Sequence, residues 1–236
     1  MLEDRLSRTI ALLGEGKARL LFNSSVMVIG LGAVGGYALE MIARYGVKNI
    51  TVVDFDCFEA SNINRQILAT VKTLGSKKTE VAKQRILDIN PDANVNVIDM
   101  KIKQDNLDFI LDVKPDFVVD AIDDLDAKSN LIEYLLKNDV KFVSAMGAAL
   151  KFKPELLKLS NLDKTTNCHL AKKLRENLRK RNVNLKDVKV VFSTEDARIV
   201  KDKNGNNVLG SMAQVPMAMG AFIASYAFDV LINKEN

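Results

Sequence analysis

The run Gly30-Leu31-Gly32-Ala33-Val34-Gly35 stands directly after the apolar segment Val26-Ile29 and opens a pattern in which Val34, Tyr37, Ala38, Met41, Ile42 and Tyr45 keep one helical face. A strand-to-helix junction of this kind leaves few folds open. Glycines at this spacing allow a tight turn and close approach of the backbone, and the helix N-terminus that follows offers N–H groups to phosphate. Asp54 ends a second apolar run 19 residues after Gly35, where a carboxylate would hold ribose hydroxyls. These residues alone say adenine nucleotide, and on them alone an NAD-dependent oxidoreductase is the favoured reading.

The rest of the chain repeats the alternation. Ile50-Val53, Val95-Ile98, Phe117-Ile122 and Phe142-Ser144 read as short buried strands of a parallel sheet, with helical patterns at Val81, Ile86 and Ile89 and at Leu131, Ile132, Leu135 and Leu136. The fold class is therefore α/β, a doubly wound, mainly parallel, Rossmann-like sheet with a C-terminal extension that completes it. One helix is predicted from Leu6 to Leu21, weak at Gly14 and Gly16. After about residue 150 come a strand at Leu156-Leu159, a basic helix from Leu170 to Arg181, a strand at Val188-Phe192 and a buried helix from Val215 to Phe228. The division is an N-terminal helix (1–22), a nucleotide-binding core (23–150) and a C-terminal part (151–236) left for substrate and partner, all of a single domain.

Composition narrows the chemistry. With one His and two Cys, Cys57 and Cys168, and no CxxC, the chain cannot form a four-cysteine or a two-cysteine, two-histidine zinc site. A charged N-terminus without an apolar stretch after it carries no secretory signal, which makes a cytoplasmic enzyme the expectation. The 14 apolar residues before Asp229 fall short of the ~20 of a membrane-spanning helix, so no membrane partner is expected.

Downstream of Asp54 the residues favour ATP over a dinucleotide. Asp56, Asn62, Arg65, Gln66, Lys77 and Lys78 follow it, and a triphosphate, with roughly twice the charge of a pyrophosphate, needs fixed cations as well as a helix end. Asp120-Ala121-Ile122-Asp123-Asp124 closes the fourth strand at the edge where open α/β sheets bind ligands. Asp123 suits Mg2+ held against phosphates; Asp124 suits a helix N-cap.

GLGAVG, DFD, SNINRQ, a Gly75-x-x-Lys78 step and DAIDD, in this order, resemble the ubiquitin-activating-enzyme-like adenylyltransferase superfamily, which includes molybdopterin and thiamine-thiazole activators. SRT…LLG, NINRQI, VFSTE and GS…VP…G resemble the tRNA threonylcarbamoyladenosine dehydratase family nearly end to end. The resemblance implies an ATP-dependent cyclisation on tRNA: a threonyl carboxylate attacks the α-phosphate, pyrophosphate leaves, and a carbamoyl nitrogen or oxygen closes the ring and releases AMP. It implies Gly30, Gly32 and Gly35 along the phosphates and Asp54 on the ribose. Asp56 joins the nucleotide-binding set, Asn62, Arg65, Gln66 and Lys78 contact phosphate, and Asp123 holds Mg2+. Arg8, with Arg5 as competitor, serves a partner subunit's ATP in a homodimer. A sulfur-relay or redox partner belongs to the same expectation. The alternative is adenylation of a ubiquitin-like sulfur carrier's C-terminus, disfavoured by the missing zinc cysteines; a non-catalytic nucleotide-binding adaptor is a further one.

Charge is unevenly spread. Between residues 161 and 190 nine Lys/Arg face three acids, against a whole-chain net of +4. Lys172, Lys173, Arg175, Arg179, Lys180 and Arg181 would contact a tRNA backbone; a solvated helix face is the plain alternative. Cys168, in a loop with His169, is a candidate thioester nucleophile that intramolecular ring closure does not need. Cys57 is expected to be packed, and His169 to be a polar loop residue rather than a general base.

Overall fold

The computed structural model describes residues 2–233. Its strands are β1 (Ser25–Ile29), β2 (Asn49–Asp54), β3 (Asn94–Asp99), β4 (Phe117–Asp120), β5 (Phe142–Ala145), β6 (Leu157–Asn161) and β7 (Lys189–Ser193). They form one sheet ordered β3-β2-β1-β4-β5-β7-β6, parallel throughout except for β6, which pairs antiparallel with β7. The helices are α1 (Leu2–Leu13), α2 (Glu15–Asn23), α3 (Gly35–Arg44), α4 (Lys78–Ile89), α5 (Phe109–Val113), α6 (Leu125–Lys137), α7 (His169–Lys180) and α8 (Gln214–Ile232). The doubly wound α/β sheet expected from the alternation is present.

Period-two geometry explains why β1 is apolar at nearly every position. Val26 and Val28 face one core with Leu39 and Ile42 of α3 and Met219 and Ile223 of α8. Met27 and Ile29 face the other, with Ile110 of α5, Leu131 and Leu135 of α6, and Leu174 and Leu178 of α7. Each such buried side chain contributes about 1.5–3 kcal/mol. β3 departs from the expected buried strand: it is a sheet edge, and Asn94, Asn96 and Asp99 are exposed.

Several element ends shift by one or two residues, and three boundaries differ in ways that have a physical reason. The predicted helix from Leu6 to Leu21 is two helices, because Gly14 adopts φ 77° and ψ 158°, outside the helical region. The fourth strand stops at Asp120, where Asp120 Oδ1 turns back to accept from Ile122 N at 3.1 Å. The C-terminal helix runs 19 residues, and it is long and apolar enough to cross a membrane by those two measures. Here it is a core helix, with Val215, Met219, Ile223, Ala224, Ala227 and Leu231 buried. A Cβ on Gly220 would lie 2.7 Å from Tyr37 Cβ and 2.8 Å from Val34 O, so glycine lets α8 touch the backbone of α3.

Candidate nucleotide-binding site

Strand order reverses between β1 and β4, and parallel sheets leave a crevice at the C-terminal ends of the strands there. A cavity of about 580 Å3 opens at that point. Its walls include Gly30 and Gly32, Asp54 and Asp56, Arg65, Gln66 and Lys78, Met100 to Ile102, Ala121 to Asp124, and Ala145 to Ala149.

Each glycine of the turn has a different physical reason. Gly30 has φ 91°, and a Cβ there would meet Ala121 O at 2.7 Å. At Gly35 a Cβ would fall 1.8 Å from Gly30 O, so the turn closes only without a side chain. Gly32 is different: its nearest neighbour would be Gln66 Nε2 at 3.9 Å. The protein's own packing does not require glycine at 32, and the bare backbone there borders the cavity. Behind it, α3 begins with no side-chain cap and no acidic residue in its first turn. A helix end left this way has N–H groups available to an anion. α6 contrasts with it, since Asp124 accepts from Ala127 N at 2.9 Å and caps the helix, as its sequence position suggested.

Charged groups surround the turn. Asp54 Oδ2 accepts from Leu31 N at 2.6 Å, and its Oδ1 from Phe55 N and Asp56 N, which locks the carboxylate against the glycine turn. Lys78 is only 6% exposed and donates to Asp56 Oδ2 at 3.1 Å. Its neighbour Lys77 turns away to Asp99. Arg65 is held by Ser61 O at 2.6 Å and Asn64 Oδ1 at 2.9 Å. Gln66 is buried with Oε1 unpartnered. Lys101 lies over the Phe55 ring at 5.3 Å. Asp123 is exposed at the cavity wall. Cations, a helix end and the exposed carboxylate of Asp123 together suit a nucleotide polyphosphate.

Three expected nucleotide ligands stand outside this wall, the first being Gly35, which is packed against Gly30 and Ala121 behind it. Asn62 is buried below it; its Oδ1 accepts from Glu59 N at 3.2 Å and closes a short capped turn that carries Arg65 and Gln66. Arg8 is exposed on α1 and does not line the cavity. Its competitor Arg5 is committed to Ile89 O at 3.2 Å and Asp92 at 2.5 Å.

The basic helix divides in two. Lys172, Lys173, Arg179 and Lys180 are exposed along α7. Arg175 instead donates to the Thr165 carbonyl at 2.9 Å and to its hydroxyl, and Arg181 to Asn130 at 2.5 Å and Glu133 at 3.2 Å. Those two brace the helix. Leu170, just before Lys172 and Lys173, reaches the cavity wall, so the exposed basic residues begin beside the site and extend away from it along α7.

Cys168 and Cys57 reverse the expectation. Cys168 is buried and caps α7, its Sγ accepting from Ala171 N at 3.5 Å. It is screened from the cavity by Gly147, whose Cβ position lies 3.6 Å from that sulfur. Cys57 is exposed. His169 is the exposed first residue of α7 rather than part of a loop.

Sequence reasoning missed two buried lysines. Lys151 donates to the carbonyls of Asn167, Ser193 and Glu195 at 3.1, 3.0 and 2.8 Å, and burial holds its ammonium below the ordinary value of 10.5. It braces the segment after β5 against the end of β7. Lys128, fully buried, donates to Asp120 at 2.7 Å and Ser144 at 3.0 Å. Its signal was legible, since it lies on the apolar face of α6 with Leu131, Ile132 and Leu135.

Comparison with known proteins agrees with this geometry. Residues 6–236 match the model of the ThiF family. A tRNA threonylcarbamoyladenosine dehydratase of Bacillus subtilis is 34% identical over 94% of this chain and 89% of its own length. Solved structures of the Escherichia coli tRNA N6-threonylcarbamoyladenosine dehydratase in complex with ATP and with AMP cover 98% of this chain and 94% of theirs. Their TM-scores are 0.89 and 0.91 and their identities 33% and 32%.

Proposed function

Since the chain belongs to the ThiF family and, within it, to the tRNA threonylcarbamoyladenosine dehydratases, we propose that it dehydrates threonylcarbamoyladenosine in tRNA to the cyclic nucleoside, using ATP. The threonyl carboxylate attacks the α-phosphorus of ATP and pyrophosphate departs. A carbamoyl nitrogen or oxygen then adds to the acyl carbon, a carbamoyl N–H proton is lost in either case, and AMP departs with one of the original carboxylate oxygens. The balance is the loss of one water.

The observation that carries the reading is the cavity wall itself: an uncapped α3, open backbone at Gly32, and Lys78 and Arg65 beside them. Little covalent chemistry falls to the protein. Its task is to position the two reactants and to neutralise charge on phosphate as it develops. Asp54 orients the ribose, and Lys78 and Arg65 face the phosphates, with Asp56 setting the lysine. Asp123 would hold Mg2+, which supplies further neutralisation; one carboxylate completed by phosphate oxygens and waters is how Mg2+ is commonly held. Ring closure needs no enzyme nucleophile, which agrees with a buried, helix-capping Cys168.

Lys172, Lys173, Arg179 and Lys180 contact the tRNA backbone and guide the modified base toward Leu170 and the cavity. Arg8 serves the nucleotide of a second copy in a homodimer. Its exposure supports this, as do the exposed apolar side chains of Leu209 and Met212 before α8 and of Met217 and Phe222 in its first half. Nucleoside analysis of tRNA incubated with the protein, ATP and Mg2+ tests the function. Conversion of threonylcarbamoyladenosine to its dehydrated form, with AMP and pyrophosphate released in step, is expected. AMP release stimulated by a sulfur-carrier protein and not by this tRNA would overturn it.

A further inference from the structure

Beneath the nucleotide cavity lies a polar cluster that touches neither solvent nor the cavity. Asp120 at the end of β4, Ser144 on β5 and Lys128 on α6 are all fully buried. Asp120 Oδ2 accepts from Lys128 Nζ at 2.7 Å and from Ser144 Oγ at 2.6 Å, and Lys128 also donates to Ser144 at 3.0 Å. The remaining oxygen of Asp120 accepts from Ile122 N at 3.1 Å.

Stability does not explain such a cluster. A buried ion pair loses about as much in desolvation as it gains in attraction, and apolar side chains of similar volume serve a core equally well or better. What the cluster does is geometric. The tie from Lys128 to Asp120 closes the loop formed by the end of β4, the turn 121–124 and the first turn of α6. Inside that loop Ala121 N donates to Ile29 O at 2.8 Å, Ala121 O lies under Gly30, and Asp124 caps α6. All four turn residues border the cavity, and Asp123 is the one whose carboxylate is not taken up by a cap.

We infer that Asp120, Lys128 and Ser144 are positioning residues that fix the turn 121–124, and with it both Asp123 and the floor under the glycine turn. The inference rests on the nucleotide reading of the cavity and is independent of which carboxylate is activated. A three-way tie holds the turn in one place, whereas an apolar plug would let it slide.

Calorimetric titration of the full-length protein with Mg·ATP, paired with thermal unfolding, tests this. Asp120→Leu/Lys128→Met replaces the pair by apolar side chains of similar volume. It is expected to keep Tm within a few degrees yet to weaken ATP binding by at least about tenfold, and adding Asp123→Ala to it is expected to cost little more. Ser144→Ala, which removes the hydroxyl and both of its hydrogen bonds, is expected to weaken binding by at least about threefold, again non-additively with Asp123→Ala. Wild-type ATP affinity in the folded double variant, or full additivity with Asp123→Ala, overturns the inference. Should the double variant fail to fold, Ser144→Ala decides: unchanged affinity or additivity overturns it and non-additive loss supports it. A wild-type protein that binds no ATP would instead defeat the nucleotide reading of the cavity.

Discussion

Replacing Gly32 and Gly35 by alanine, one at a time, separates what the glycine turn does for the fold from what it does for phosphate. At Gly35 the added methyl would lie 1.8 Å from Gly30 O, a backbone atom that cannot move aside alone. Overpacking of this kind costs about 1–3 kcal/mol, with or without ligand. At Gly32 nothing in the protein lies within 3.9 Å of the new methyl, and its φ is not in the left-handed region. Gly32→Ala should therefore fold as well as the parent, or up to about 1 kcal/mol better through a less flexible unfolded chain. In the cavity, however, the methyl holds a phosphate oxygen off the backbone. Loss of one charge-assisted hydrogen bond is worth about 1.5–3 kcal/mol, at least about tenfold in Kd. With ATP a hundredfold above its Kd, binding stabilises the parent by about 2.7 kcal/mol; a tenfold weaker Kd leaves about 1.4 kcal/mol. At about 2–4 °C per kcal/mol for a chain of this size, the ATP-induced rise in Tm falls from about 5–11 °C to about 3–6 °C. Scanning fluorimetry of both variants with and without ATP reads this directly. An undiminished ATP shift in Gly32→Ala would refute the placement of phosphate over the open backbone.

Neighbouring carboxylates should separate in the same way. Asp124→Ala removes a helix cap and should lower stability by about 1 kcal/mol, measured by denaturant unfolding. Asp123→Ala should leave Tm unchanged and cost roughly 2–4 kcal/mol of transition-state stabilisation in AMP release; an unchanged rate would remove it from the mechanism. Burial by itself raises the Glu40 carboxyl, but hydrogen bonds from Arg85 and Arg44 outweigh it and hold the group below its ordinary 4.5. A lowered carboxylate stabilises the fold above pH 4.5, and that contribution is lost as pH falls through the lowered value. Glu40→Gln should thus be less stable at neutral pH and lose less on acidification below pH 4.5, as followed by unfolding free energy against pH. Reversing Lys172, Lys173 and Arg179 to Glu should raise KM for tRNA and flatten its salt dependence by about 0.7 for each phosphate no longer neutralised, with ATP affinity unchanged. Equal tRNA binding would return α7 to an ordinary solvated face.

The central strands were legible because a parallel sheet covered on both faces needs β-branched residues at nearly every position, as in Val26-Ile29. The phosphate end of the cavity was legible because glycine spacing and a strand-end carboxylate have few other uses. What stayed hidden depends on side-chain direction. Six basic residues in one segment look alike in sequence; only packing shows Arg175 and Arg181 bonded to their own protein. The cysteines were misplaced for a similar reason: a thiol can cap a helix, and polar neighbours such as Asn167 and His169 conceal its burial. Gly14 could be marked as weak, but whether a weak helix breaks depends on what its halves pack against, here α8 and the loop at Gly46. Lys128 was passed over because a lysine in a helix is normally solvated.

α8 is synthesised after every element it covers. Gly220 touches the backbone of α3, and Tyr45 at the end of α3 packs on the Phe228 ring at 5.5 Å. While the chain is being made, the flank of the phosphate-binding helix stays bare until residues 214–232 have emerged from the ribosome. A nascent chain halted earlier holds every cavity residue from Gly30 to Ala149 and still presents an unfinished apolar face, the kind of surface that chaperones and proteases recognise.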